Sequence, residues 1–145
     1  MNPITNQARI TQINSELRQL SNNYNAASIR LNNAKTKLDA LTSVQHQLKT
    51  LLDNYSSFPA DYSNLGSSIW DTQFKGSLRK DVRVHLDQVK TDLQTLRSRH
   101  EDRLNIINNA HATAESDVES LTNQISNINN AVSLLETERR TLLLF

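Results

Sequence analysis

"ITQINSELRQLSNNYNAASIRLNNAKTKLDALTSVQHQLKTLL", residues 10 to 52, places an apolar residue at alternating steps of four and three. One set of positions is Ile10, Leu17, Tyr24, Leu31, Leu38, Gln45 and Leu52. The other is Ile13, Leu20, Ala27, Ala34, Leu41 and Leu48. Gln45 alone among them is polar. This spacing holds one face of a helix in register for six heptads and leaves every other face polar. Working outward, Asn2 suits the cap and Pro3 the first helical position, so the spacing predicts a helix over 3–53. Such a helix is about 75 Å long. No compact core closes around it, and its narrow seam needs a second helix as cover.

That second helix is legible downstream. From about residue 77 the seam continues through Val82, Leu86, Val89, Leu93, Leu96 and His100. It then runs through Leu104, Ile107, His111, Ala114, Val118, Leu121, Ile125, Ile128, Val132, Leu135, Arg139 and Leu142. The two steps of four from Leu96 to His100 to Leu104 are a stutter, which relaxes left-handed supercoiling locally. The predicted helix covers 77–143. Gln45, His100, His111 and Arg139 are polar residues on seam positions, where such residues set register and oligomeric state.

Between the helices, residues 54–75 interrupt the repeat with Pro59, Gly66 and several Ser, Asn and Asp residues, all turn formers. The same stretch holds Tyr55, Phe58, Tyr62, Trp70 and Phe74. A solvated linker has no use for these rings. They read either as a plug on the open end of a hairpin or as a surface for a partner. The expected fold is therefore all-α: an elongated antiparallel helical hairpin of two coiled-coil-like helices, one domain over 1–145. A short aromatic loop sets the expected register, with Leu52 opposite Val82, Tyr24 opposite Ala110 and His111, and Ile10 opposite Ile125. In that register the first helix ends near residue 131. Val132, Leu135, Leu142, Leu143 and Phe145 are then left without an intramolecular partner, an apolar end expected to dock on another chain.

Composition narrows function by exclusion. The chain has 145 residues, 16 basic and 15 acidic, for a net charge of +1. Nucleic-acid binding is not expected from that balance. The cluster Lys75, Arg79, Lys80 and Arg83 is diluted by Asp71, Asp81 and Asp87. Without cysteine there is no disulfide framework or thiol nucleophile. The opening "MNPITNQARITQ" has neither a basic nor an apolar signal-peptide region, and no apolar run reaches membrane-spanning length, so membrane insertion is not expected. His111 and Glu115 have metal-ligand spacing on a helix, but no third ligand follows from spacing. No phosphate loop or nucleophile elbow is present. No metal, cofactor or catalytic residue is expected.

The remaining clue is the scarce glycine at position 76, in "WDTQFKGSLRKDV", residues 70 to 82. Glycine there permits a tight entry into the second helix and close approach of a neighbour. Phe74-Lys75-Gly76, with the glycine six residues before Val82 and with Asp81 preceding that valine, resembles the Trp-X-Gly motif between the helices of WXG-superfamily hairpins. Phe74 replaces the tryptophan, and Trp70 lies one turn away. The longer members of that superfamily are associated with LXG toxins of type VII secretion. The resemblance implies a small, non-catalytic partner or targeting factor. Such a factor binds the helical N-terminal region of an LXG-type toxin, together with a second small helical partner, and promotes its export. It implies a cytoplasmic origin and exit without a cleaved signal peptide. The family's export signal, Tyr or Phe followed four residues later by Asp, is absent after Tyr24, Tyr55, Tyr62, Phe58 and Phe74, so a partner would have to supply it. Trp70, Phe74, Gly76, Asp81 and Val82, with the apolar tail, form the expected partner-binding set. The competing class is a structural coiled-coil scaffold or assembly protein that self-associates as a homo-oligomer.

Overall fold

The structure, a computed structural model, describes residues 3–58, 61, 63, 64 and 77–144. Helix α1 spans Pro3–Ser56 and helix α2 spans Ser77–Leu144. The two pair antiparallel as an all-α hairpin. The heptad pattern ends the helices at 53 and 143. In the structure α1 continues to Ser56, where hydroxyls occupy the carbonyls that a helix end leaves open. Ser56 Oγ donates to the carbonyl of Asp53 at 2.6 Å and Ser57 Oγ to that of Asn54 at 3.2 Å. The stretch read as a loop is not irregular throughout. Phe58, Asp61, Ser63 and Asn64 have helical backbone, and the Asp61 amide donates to the Ser57 carbonyl at 3.1 Å. Helix α2 is rich in threonines, which are neutral at best in helices. Thr91, Thr95, Thr122, Thr137 and Thr141 each donate to the carbonyl four residues back, so the hydroxyl is satisfied within the helix.

The chain divides into two compact units to which both helices contribute. The first comprises Met1–Asp39 with Ala112–Phe145, the second Ala40–His111. In the first unit Ile13, Ala27, Ala114, Leu121 and Ile128 are buried. All are seam positions. Burial of side chains as short as Ala27 and Ala114 requires the facing helix to come close there, because interaxial distance follows the size of the contact residues. Charge favours the same pairing. Residues 1–39 hold five basic and two acidic side chains, and residues 112–145 hold two basic and five acidic.

In the second unit the seam residues Leu41, Leu48, Leu52, Leu104 and Ile107 are half-buried. Two helices shield each other along one stripe only, so leucines at its edges keep part of their surface in water. The register is set by polar pairs. Gln45 Nε2 donates to Asn108 Oδ1 at 2.6 Å, Thr42 Oγ1 and His111 Nε2 share a 3.0 Å hydrogen bond, and the rings of Tyr55 and His100 stack at 5.9 Å. The expected register is therefore corrected. His111 faces Thr42 and not Tyr24, and Gln45 meets a residue roughly five helical turns further along α2 than a short loop implied. The loop guided the expectation, whereas the seam chemistry decides the outcome.

Two measurements check this arrangement. Ile13→Ala removes a fully buried side chain and is expected to cost about 2–4 kcal/mol in urea melts followed by circular dichroism. Ile29→Ala, on the solvent face, is expected to stay within about 0.5 kcal/mol; equal costs would mean the seam is not the core. Since the chain lacks cysteine, Gln45→Cys with Asn108→Cys should be joined in high yield by a short bis-maleimide, and Leu52→Cys with Val82→Cys should not. The reverse yields would restore the loop-based register.

Candidate functional site

Where α1 ends, α2 lies beside an aromatic patch within the second unit. Tyr55 and Phe58 from the α1 side, with Ser63, face Lys90, Leu93, Gln94 and Arg97 of α2 around a cavity of about 320 Å³. The spacing of Lys90, Leu93, Gln94 and Arg97 brings them to one face of α2. The ion pair of Arg97 Nε with Glu101 Oε1, 2.9 Å, orients the guanidinium. On the α1 side Tyr55 is held against His100, the two rings inclined by 27°. Nδ1 of His100 is buried and, among the described residues, has no hydrogen-bond partner. The lining combines the aromatic and apolar Tyr55, Phe58 and Leu93 with the cationic Lys90 and Arg97. Val89 and Leu96, seam positions in the sequence, stay exposed nearby.

The expected partner-binding residues fall into three groups. Trp70, Phe74, Gly76 and Phe145 lie outside the described residues, as do Pro59 and Tyr62. Asp81 is exposed and Val82 half-buried at the start of α2. The tail residues are placed differently from the expectation. Val132, Leu135 and Leu142 are half-buried, and Leu143 is 67% exposed. The expected lack of an intramolecular partner for this tail is corrected. Arg9 of α1 binds Glu138 through two parallel hydrogen bonds, Nε to Oε1 at 2.7 Å and Nη2 to Oε2 at 2.8 Å. Arg139 Nη1 donates to Asn14 Oδ1 at 3.2 Å. The tail is covered because the true register carries α1 past residue 131 of α2.

No protein-family model, curated protein or solved structure matches this chain. Among the described residues no group of three or more His, Asp and Glu is placed to hold a metal ion. His111, half of the spacing noted with Glu115, is engaged with Thr42. No helix among the described residues is long and apolar enough to cross a membrane.

Sequence reasoning singled out four polar seam residues, and each meets a side chain of the other helix. Gln45 meets Asn108, His111 meets Thr42, His100 meets Tyr55, and Arg139 meets Asn14. It missed the Arg9–Glu138 pair and the burial of Asn6. The opposite charge of residues 1–39 and 112–145 was the one available signal for the former. The fork of Arg9 is braced by Glu16, whose Oε1 accepts from Arg9 Nη1 at 3.2 Å and from Gln12 Nε2 at 2.9 Å.

The electrostatics of this clamp give a pH signature. The hydrogen bond from Arg9, aided by its charge and opposed by desolvation, holds the Glu138 carboxyl below its ordinary value. Arg9 is raised in return, chiefly by its hydrogen bond to Glu138. A carboxyl depressed in the folded state stabilises the fold above its unfolded pKa of about 4.3, and that contribution is lost as pH falls through the folded value. Glu138→Gln should therefore lower the melting temperature at pH 7, and its difference from the parent should shrink toward zero as pH falls below about 4. A difference that persists unchanged to pH 3 would show that the carboxylate charge contributes nothing.

Proposed function

We propose that this chain is a non-catalytic helical partner that binds the helical N-terminal region of an LXG-type toxin and promotes its export by type VII secretion. The observation that carries the reading is the Phe74-Lys75-Gly76 motif immediately before the second helix of a two-helix hairpin, with Asp81 and Val82 in the first turns of that helix. Helix α2 starts at Ser77, directly after the motif glycine. Val82 is on the seam side and Asp81 faces solvent, so a residue for packing and a residue for a partner sit side by side at the helix start. A hairpin that leaves seam positions Val89 and Leu96 exposed also suits a protein that completes its packing on other helices. In this reading the chain is made in the cytoplasm, acts with a second small helical partner, and leaves the cell without a cleaved signal. The toxin complex supplies the export signal that this sequence lacks.

The same exposed Val89 and Leu96 favour the competing reading, a coiled-coil scaffold that self-associates. Co-expression separates the two. A tagged chain should co-purify with the N-terminal helical region of an LXG toxin encoded beside it. Phe74→Ala and Trp70→Ala should weaken that capture by about tenfold or more, the scale of one lost aromatic anchor, with helicity unchanged. No capture of the toxin region, together with a stable dimer in sedimentation at micromolar concentration, would replace the toxin-partner reading with the scaffold.

A further inference from the structure

We propose that the second unit, Ala40–His111, opens as a cooperative piece under native conditions while the first unit stays paired. Four independent features separate the units. Every described apolar residue that is less than a tenth exposed, from Ile13 to Ile128, belongs to the first unit. The described seam leucines of the second unit, in 40–56 and 77–111, are at most half-buried, so parting these stretches bares less buried apolar side chain at each position, and the opening free energy of a segment follows that surface.

The polar seam of the second unit adds to the difference. Thr42, Gln45, Asn108 and His111 regain hydrogen bonds from water when the helices part, so their pairs resist opening weakly. At His100 the stack on Tyr55 holds the seam closed, but among the described residues its buried Nδ1 meets no hydrogen-bond partner, a cost that water relieves once the seam parts.

Charge separates the units in the same sense. The pairing stretches of the first unit have opposite charge balances, five basic and two acidic residues in 1–39 against two basic and five acidic in 112–145. They are also fastened by the forked Arg9–Glu138 bond. In the second unit, residues 40–56 hold one basic and one acidic side chain and residues 77–111 hold seven basic and five acidic. Opposite net charge does not draw these two stretches together as it does in the first unit. Finally, the stutter at Leu96, His100 and Leu104 lies in this unit, where it relaxes the left-handed supercoil of the seam. The open form bares Leu41, Leu48, Leu52, Leu104 and Ile107, while the first unit keeps the two helices of the chain together.

Native-state hydrogen exchange of the full chain tests this directly. Amides at 45–52 and 97–107 should exchange at least about tenfold faster than those at 13–34 and 114–135. They should also depend less steeply on low urea, the mark of a sub-global opening. Replacing the polar pair, Gln45→Leu with Asn108→Leu, should slow exchange in the second unit by about tenfold and leave the first unchanged; His100→Leu should act in the same direction. The proposal is overturned if the parent protein exchanges both sets of amides in one event of equal rate and equal urea dependence. It is also overturned if the seam variants shift both units by the same factor. The first comparison uses only the parent chain, so it stands whatever the variants do to folding.

Discussion

The hydrogen bond between Gln45 and Asn108 is the constraint on which the pairing of the second unit depends. A seam with leucine every three and four residues looks nearly the same after a slip of one heptad, so apolar packing alone leaves several registers close in free energy. A polar residue inside the seam removes that degeneracy. Sliding the helices by seven residues parts Gln45 from Asn108 and sets Asn108 against Leu38 or Leu52, and a polar group left unpaired in an apolar seam costs about 1–3 kcal/mol. Thr42 with His111, three residues away on each helix, repeats the restraint. The pairs add little to stability, since a neutral hydrogen bond contributes roughly 0.5–1.5 kcal/mol net. Their effect is selection among alternatives that hydrophobic burial does not distinguish.

The first unit solves the same problem with different chemistry. Its seam is drier, with Ile13 and the buried alanines at its centre, and its helices attract each other through unlike charge. Arg9 and Glu138 act as a geometric lock because a guanidinium fork accepts a carboxylate in one orientation. Their exposed setting makes the pair a better guide to orientation than a source of stability. One unit is thus set by matched charge and close packing, the other by polar pairs in a looser seam. A hairpin built from unequal parts has the means to keep its chain paired while yielding in one region. That property suits a protein whose proposed role is to meet other helices.

The aromatic end links this architecture to the proposed function. Tyr55 and Phe58 do not form a plug in isolation. They line a cavity with Lys90, Leu93 and Arg97 beside a stretch of α2 that continues beyond the end of α1. The motif glycine is the residue directly before α2 in the sequence. The resemblance to WXG-type hairpins and the physical reading of this end therefore concern the same part of the chain, although they start from different grounds.

Much of the fold was legible in the residues themselves. The heptads from Ile10 to Leu52 and from Val82 to Leu142 dictate two long helices, because side-chain direction in a helix follows from local backbone geometry alone. The same pattern named the seam and the four polar residues that interrupt it. What it could not contain was which residue faces which. Register is a relation between distant stretches, and the turn formers at 54–75 suggested a short loop, whereas several of those residues extend the helical backbone. The error carried directly to the tail, where Val132, Leu135 and Leu142 were read as unpartnered and are in fact packed beside α1. Local sequence thus determined the helices and their apolar faces. Only the tertiary structure decided the partner of each face, because near-equal apolar registers are separated by a few polar contacts that form once the helices meet.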